Sequence, residues 1–332
     1  MRLLVTGASG FIGRNLVRWA IGEGHEVTGT YLATSELAAR DLPNSGVSWV
    51  RLDVQNGERV TKLIEAVRPE GVVHLAAQAY AQRAWADPID TFRTNVLGTI
   101  HLYEALRHHP PASGVLLAAS GAAYGVPPEL PIREDIPLNP TNPYGVSKAC
   151  QEMLSFQYSL NFGLRIVRAR LFGTTGPGKR GDALNDFAEQ IAAIERTGRA
   201  GRLRVGNLEP RRDISDVRDV LRAMWRIFEA GEPATPVNVG AGESYSIRYL
   251  AEELVRRARV PVEIVPDPTR FRPTDELDNR ADVSRLRSMG HRPSYPIEQT
   301  LEEALEFWRL GPAPEAGTRR RGRAPKRSTR VR

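Results

Sequence analysis

Residues 2–22, RLLVTGASGFIGRNLVRWAIG, decide the fold. RLLVT is a short apolar strand, and NLVRWAIGEG beyond the turn has the periodicity of an amphipathic helix. Between them, Gly7, Gly10 and Gly13 fall where a strand-to-helix turn must be tight. Lacking side chains, they let backbone N–H groups approach a pyrophosphate at the helix N-terminus, with Phe11 and Ile12 in the same turn. A glycine triplet alone is weak, but one placed between a first strand and a first helix is specific.

Strand and helix continue to alternate outward from that turn. HEVTGTY is a second strand, VSWVRLD a third ending at Asp53 and Val54, and GVVHLAA (71–77) a fourth. Leu75, Ala76 and Ala77 are small enough to leave room for a dinucleotide, and His74 reads as a core histidine. GVLLAAS and LRIVRARLF extend the series, which predicts a parallel, doubly wound α/β sheet of Rossmann type. Beyond residue 172 the alternation loosens, and a smaller α/β lobe for substrate is expected. The division expected is 1–172 with 211–247 for the dinucleotide domain and 173–210 with 248–310 for the lobe. LRVGNLEPRRDIS, which crosses the boundary at 210, reads as a short strand followed by a charged loop.

The chemistry concentrates between Ser120 and Lys148. Tyr144 and Lys148 are four apart in a segment that reads as helical after Pro143, so they share a helix face. A neighbouring cation favours an ionised tyrosine, which predicts a lowered Tyr144 pKa. Ser120 closes the apolar run GVLLAA, at a strand's carboxyl end, where its hydroxyl can hold a substrate oxygen. A Tyr-x-x-x-Lys pair by itself is usually an ordinary helix surface pair; the glycine turn is what gives it weight.

The net charge of +7 suggests a polyanion partner until it is located. Residues 311–332 carry eight of the 46 basic residues and one of the 39 acidic ones, so the remainder is neutral. That tail is expected to be a disordered basic extension, and no nucleic-acid role is expected for the folded part. One cysteine, the lack of a signal-peptide pattern and the lack of a long apolar run predict a cytoplasmic protein. No metal is expected.

T-G-x-x-G-x-x-G at 6–13, H-L-A-A at 74–77, N-V-x-G-T at 95–99, Ser120 and Tyr144-x-x-x-Lys148 together resemble the extended short-chain dehydrogenase/reductase family. The resemblance implies that Tyr144 is the proton donor or acceptor, that Lys148 binds the nicotinamide ribose, and that Ser120 orients the carbonyl. It also implies that Asp53 meets the adenine. The end of strand two, Thr30-Tyr31-Leu32-Ala33, lacks the acid that NAD users of the family carry. NADP(H) is therefore favoured, with NAD(H) the other candidate, and Arg14 and Arg40 are candidates for a 2′-phosphate.

AAQ at 76–78, RAWADP at 83–88, TTGPG at 174–178, VGN at 205–207, RRD-x-x-D at 211–216, YSIR at 245–248 and R-P-x-D at 272–275 narrow the resemblance. They are similar to the branch holding GDP-mannose dehydratases and GDP-4-keto-6-deoxymannose reductases. Substrate contacts are then implied at Arg83, Ser120, Gly173, Arg211, Arg212 and Arg272. Gly173 stands where the branch has an Asn that hydrogen-bonds the sugar nucleotide, and Thr174 is a candidate to replace that contact. Dehydratases of the branch carry a Glu two positions after the Ser/Thr; here Gly121 and Ala122 follow Ser120. Neither moves a proton, which points to carbonyl reduction, with Glu134 and Asp135, in a loop, as candidate substitute acids. The competing expectations are a 4-epimerase or 4,6-dehydratase of the same family and, in another class, a dinucleotide sensor. Because family helices commonly pair across a twofold axis, a homodimer is expected through 89–107 and 144–162.

Overall fold

The computed structural model describes residues 1–33, 42, 45–233, 235–271 and 277–311. Among them the strands run, in chain order, β1 Arg2–Thr6, β2 Glu26–Tyr31, β3 Val47–Arg51, β4 Gly71–His74, β5 Gly114–Ser120, β6 Ile166–Leu171, β7 Gly173–Thr175, β8 Gly201–Val205, β9 Arg211–Asp216, β10 Val237–Val239, β11 Ser244–Ser246 and β12 Val262–Pro266. Seven of them form one sheet in the order β3-β2-β1-β4-β5-β6-β10. Every pairing in it is parallel. The chain winds outward from β1 to β3, then crosses back to β4 and winds the other way. The order therefore reverses between β1 and β4, and the crevice at the carboxyl ends of those strands is where such sheets bind ligands.

Each strand's two-residue period sorts its apolar side chains between two layers. Leu3 and Val5 join one core with Leu16, Val17, Met224 and Ile227. Leu4 joins the opposite core with Val72, Leu102, Tyr103 and Leu106. β5 is buried at every position, as a central strand covered on both faces must be.

The Pro143–Phe162 helix starts and stops where its sequence dictates. Asn142 Oδ1 accepts the Gly145 N–H at 2.9 Å, Pro143 occupies the first turn, and Gly163 leaves the helix with φ 68°.

A third core includes Leu184, Phe187, Ile191, Leu250, Leu301 and Trp308. Of the remaining strands, β11, β9 and β7 form a three-stranded sheet and β12 and β8 a pair. Arg211–Asp216, expected as a charged loop, is a strand. Alternation explains it: Asp213 and Ser215 turn inward and are buried, while the arginine at 211 stays outside. The buried Asp213 carboxylate accepts the N–H groups of Ala241 at 2.7 Å, Gly242 at 3.0 Å and Ala281 at 3.0 Å, tying β9 to two chain segments. Burial pushes its pKa up to about 6, against those three hydrogen bonds. Among the described residues no helix is long and apolar enough to cross a membrane. The basic tail from residue 312 on lies outside the described residues.

Candidate active site

Three elements converge on the switch-point crevice. At its floor, Gly7 has φ 67°, and a Cβ there would lie 2.7 Å from Ala76 N. A Cβ on Gly13 would run into the Gly7 carbonyl. The turn is thus closed against β4 on one side and against itself on the other, and only glycine fits. Gly10 caps the Phe11–Gly22 helix without any side-chain hydrogen bond. The first-turn N–H groups of Phe11, Ile12 and Gly13 therefore face an anion position that no side chain of the cap fills. These features fit a dinucleotide pyrophosphate.

Leu75 and Ala76 follow β4 and are pinned to β1: Leu75 N–H donates to the Thr6 carbonyl at 3.2 Å and Ala76 N–H to Thr6 Oγ1 at 3.2 Å. Ala77 is half-buried beside them. His74 is buried and bonded to Thr6 Oγ1 at 2.7 Å and Thr99 Oγ1 at 3.1 Å. Burial, with the Lys148 charge adding to it, lowers its pKa to about 3. It is a neutral core histidine, as its sequence context suggests.

Asp53 lies two residues beyond β3, not at its end as expected, and its Oδ1 accepts the Gln55 N–H at 2.9 Å. Val54 is buried against Gly98, and its carbonyl meets His101 Nδ1 at 3.0 Å.

The reactive groups lie at the end of β5. Ser120 Oγ accepts the Ala122 N–H at 3.2 Å and lies near enough to the Tyr144 hydroxyl to favour its ionised form. Lys148 Nζ sits 5.9 Å from the Tyr144 ring centroid and donates to the Ala118 carbonyl at 2.9 Å. So the structure brings Ser120, Tyr144 and Lys148 together.

It also reverses one expectation. Tyr144 has a raised pKa, not a lowered one: desolvation drives it up, and the nearby Ser120 hydroxyl only partly offsets this. Lys148 is itself desolvated, its pKa lowered by burial to about 8 with the nearby Glu152 charge working upward. The spacing argument counted the cation's charge but not the loss of water by both groups.

Asn95 is a site residue that the sequence contained without announcing. It lies in a π-helical turn, Arg93–Leu97, and is fully buried. Its Nδ2 donates to Ser147 Oγ at 2.8 Å, and Ser147 Oγ donates to the Tyr144 carbonyl at 2.7 Å. Asn95 Oδ1 also accepts the Gln78 N–H at 2.7 Å. It locks the start of the Tyr144 helix to the segment after β4. The N-V-x-G-T stretch was the signal for it.

The expected substrate arginines are less uniform. Arg83 pairs with Asp90 at 3.0 Å near the surface. Arg211 donates to Ser244 Oγ at 3.2 Å, and Arg212 Nη1 to the Arg211 carbonyl at 2.8 Å. Arg272 lies outside the described residues, as does Arg40. Arg14 donates to the Gly178 carbonyl at 2.9 Å and lies over the Phe11 ring. Gly173 pairs with Ile214 across β7 and β9, and a Cβ there would collide with the Asp213 carbonyl. Thr174 is buried, its Oγ1 turned to the Phe172 carbonyl at 3.4 Å.

After Ser120, Gly121–Tyr124 forms a 3-10 turn in which a Cβ at Gly121 would meet the Phe172 ring at 3.1 Å. Glu134 Oε1 is occupied by the Asn238 N–H at 3.0 Å, and Asp135 pairs with Arg133 at 2.7 Å. Among the described residues no three His, Cys, Asp or Glu side chains group as a metal site.

This arrangement agrees with what the chain is similar to. Residues 4–304 match the model of the GDP-mannose 4,6 dehydratase family.

The chain belongs to that family.

It is 36% identical over 311 residues to GDP-6-deoxy-D-mannose reductase of Pseudomonas aeruginosa, covering 92% of this chain and 97% of that protein. The solved structure of RMD from Pseudomonas aeruginosa complexed with NADPH superposes with a TM-score of 0.79 at 33% identity, covering 93% of this chain and 99% of that one. A UDP-glucose 4-epimerase from Thermus thermophilus, in complex with NAD, superposes with a TM-score of 0.83 at 29% identity, covering 94% of this chain and 100% of that one. The fold of this chain is therefore shared with a reductase and with an epimerase.

Proposed function

We propose that the protein is a nucleotide-sugar reductase that converts the C4 ketone of GDP-4-keto-6-deoxymannose to an alcohol, with NADP(H) as cofactor and NAD(H) the alternative. The observation that carries this reading is local. Ser120 and Tyr144 meet at the end of β5, while the two residues after Ser120 are Gly121 and Ala122. A dehydratase must also move protons at C5 and C6, and the two candidate substitutes, Glu134 and Asp135, hold the Asn238 N–H and Arg133. The similarity to the Pseudomonas aeruginosa reductase supports the same choice.

The glycine turn would hold the cofactor pyrophosphate and Lys148 its ribose. When bound, the nicotinamide supplies the hydride. Ser120 holds the C4 oxygen, and Tyr144 gives it a proton, so one hydride and one proton account for each alcohol formed. Tyr144, with a pKa raised from the ordinary tyrosine value by desolvation, is in the phenol form that this donation requires.

Epimerase chemistry is the second reading, favoured by the similarity to the Thermus thermophilus enzyme. Incubating the protein with GDP-4-keto-6-deoxymannose and NADPH separates the two. Stoichiometric nicotinamide oxidation with a new C4–H signal by NMR is the expected result. Interconversion of UDP-glucose and UDP-galactose without net oxidation would replace the reading by the epimerase one.

The homodimer and the cytoplasm belong to this proposal too. Met153, Phe156 and Leu160 make an exposed apolar stripe on the Pro143–Phe162 helix. Beside it, Ile89, Phe92, Val96 and Ile100 line an apolar groove. Large exposed apolar patches mark contact surfaces, and a second copy presenting the same two segments would cover both. A single cysteine suits a reducing compartment.

A further inference from the structure

Beside the glycine turn, at the carboxyl ends of β2 and β3, lies a second cavity of about 330 Å³ lined by Leu32, Arg51, Asp53, Asn56 and Arg59. Its position follows from the sheet. Tyr31, the last residue of β2, pairs in register with Arg51, the last of β3. Arg51 Nε donates to the Leu32 carbonyl at 3.2 Å, which brings its guanidinium across the end of β2. Arg59, in the first turns of the Gly57–Val67 helix, donates through Nη2 to the Arg51 carbonyl at 3.2 Å. Two guanidinium groups from different elements are thus steered to one mouth, and the backbone contacts use only part of their donors. Among the described residues neither is within ion-pairing distance of a carboxylate. Asp53, the acid in the cavity, has its Oδ1 turned to its own loop at Gln55.

The end of β2 is where a dinucleotide's adenosine ribose lies in this type of sheet. An acid there binds the 2′-hydroxyl, whereas an arginine accommodates a 2′-phosphate. We propose that Arg51 and Arg59 form the 2′-phosphate clamp that makes this chain select NADP(H). The sequence suggested Arg14 and Arg40 for this role; Arg14 donates to the Gly178 carbonyl at 2.9 Å, and Arg40 lies outside the described residues. Arg51 and Arg59 were not evident in the sequence, because one ends a strand and the other lies eight residues on in a helix. Only the β2–β3 register and the β3–helix turn bring them together.

The proposal rests on the NADP(H) reading above, and the test is chosen so that the two fail differently. Adenosine 2′,5′-bisphosphate and AMP are titrated calorimetrically into the wild type, Arg51→Ala and Arg59→Ala, with thermal melts as the folding control. The wild type should bind the bisphosphate at least ~10-fold more tightly than AMP. Each substitution should erase roughly 10-fold or more of that preference, the scale of one charge-assisted contact, while AMP affinity stays within about 3-fold. Both side chains are at the surface, so melting temperatures should hold. A wild type that binds the two nucleotides alike overturns the NADP(H) preference and the clamp with it. A wild-type preference that survives in both variants, or a loss shared equally by AMP, overturns the clamp alone: the arginines would then hold the adenosine or nothing.

Discussion

Glu152→Gln tests how the buried charges behind the site are balanced. Glu152 lies on the helix that carries Tyr144 and Lys148, one turn beyond Lys148, and is 2% exposed. Arg170 on β6 donates to it from Nε at 2.9 and 3.0 Å, and Nη2 lies 2.9 Å from it. The same guanidinium donates from Nη1 to Tyr124 Oη at 2.6 Å and to the Glu134 carbonyl at 2.9 Å. At 2.9 Å and an effective dielectric of ~20 the pair's attraction is about 6 kcal/mol. Gln keeps the shape and one acceptor but leaves the arginine charge buried and uncompensated. Breaking a buried pair from one side costs ~3–5 kcal/mol, which lowers the melting temperature by on the order of 10 °C. The change also removes the charge that raises the Lys148 pKa. Activity that needs the Lys148 ammonium is retained below a pH of about 8 and lost above it. In the variant that alkaline limb should move to lower pH. Differential scanning calorimetry and the pH profile of NADPH-dependent turnover measure the two effects separately. A melting temperature within ~2 °C of wild type would refute the buried-pair argument, and an unmoved limb would refute the coupling to Lys148.

The other predictions address the site and the chain ends. Tyr144→Phe should lower turnover at least ~100-fold, the scale of a lost general acid, with nucleotide affinity retained by calorimetry; near wild-type turnover sinks the assignment. Gly173→Asn, which restores the residue that the family resemblance leads one to expect, should lower the melting temperature instead of adding a substrate contact. The Asp213 carbonyl already fills that space, and a stable variant with tighter sugar-nucleotide binding would contradict this. Asp213→Ala strands three backbone N–H groups, and at ~1–3 kcal/mol each it should unfold well below the wild type in urea; an unchanged midpoint would show that water replaces the carboxylate. Removing residues 312–332 should leave melting and turnover unchanged, since almost nothing in that stretch can join a core.

Most of the sheet was legible because its signals are local. The glycine turn, the buried run of β5 and the Asn142-Pro143 start each fix their element within a few residues. The lobe was less legible. Arg211–Asp216 is rich in charge, and its identity as a strand depends on Asp213 being satisfied by Ala241, Gly242 and Ala281, which are distant in sequence. The site divides in the same way. Ser120, Tyr144 and Lys148 carried their own spacing, whereas Asn95 acts through Ser147, and the buried Arg170–Glu152 pair spans two elements. For Tyr144, Lys148 and Glu152 the charge was readable from the sequence, but the loss of water around them was not.

That distinction bears on the direction of the chemistry. One cause, the removal of water, moves Tyr144 and Lys148 in opposite senses: the phenol is harder to ionise and the ammonium easier to neutralise. An epimerase or a dehydratase must begin by oxidising the C4 alcohol, for which the tyrosine has to act as a base and become a phenolate first. Here the phenolate is the disfavoured form, and Lys148 faces the Ala118 carbonyl. A reductase begins from the other side, with a tyrosine that is already protonated and a carbonyl held by Ser120. The lack of a proton carrier at Gly121 and Ala122 and the raised pKa of Tyr144 arise from different features, one a pair of residue identities and the other a depth of burial. The first leaves the elimination at C5 and C6 without a proton carrier, and the second leaves Tyr144 as a proton donor to C4. Growth of a C6 methyl signal from GDP-mannose, at a rate comparable to keto-sugar reduction, is the outcome that Gly121 and Ala122 do not permit.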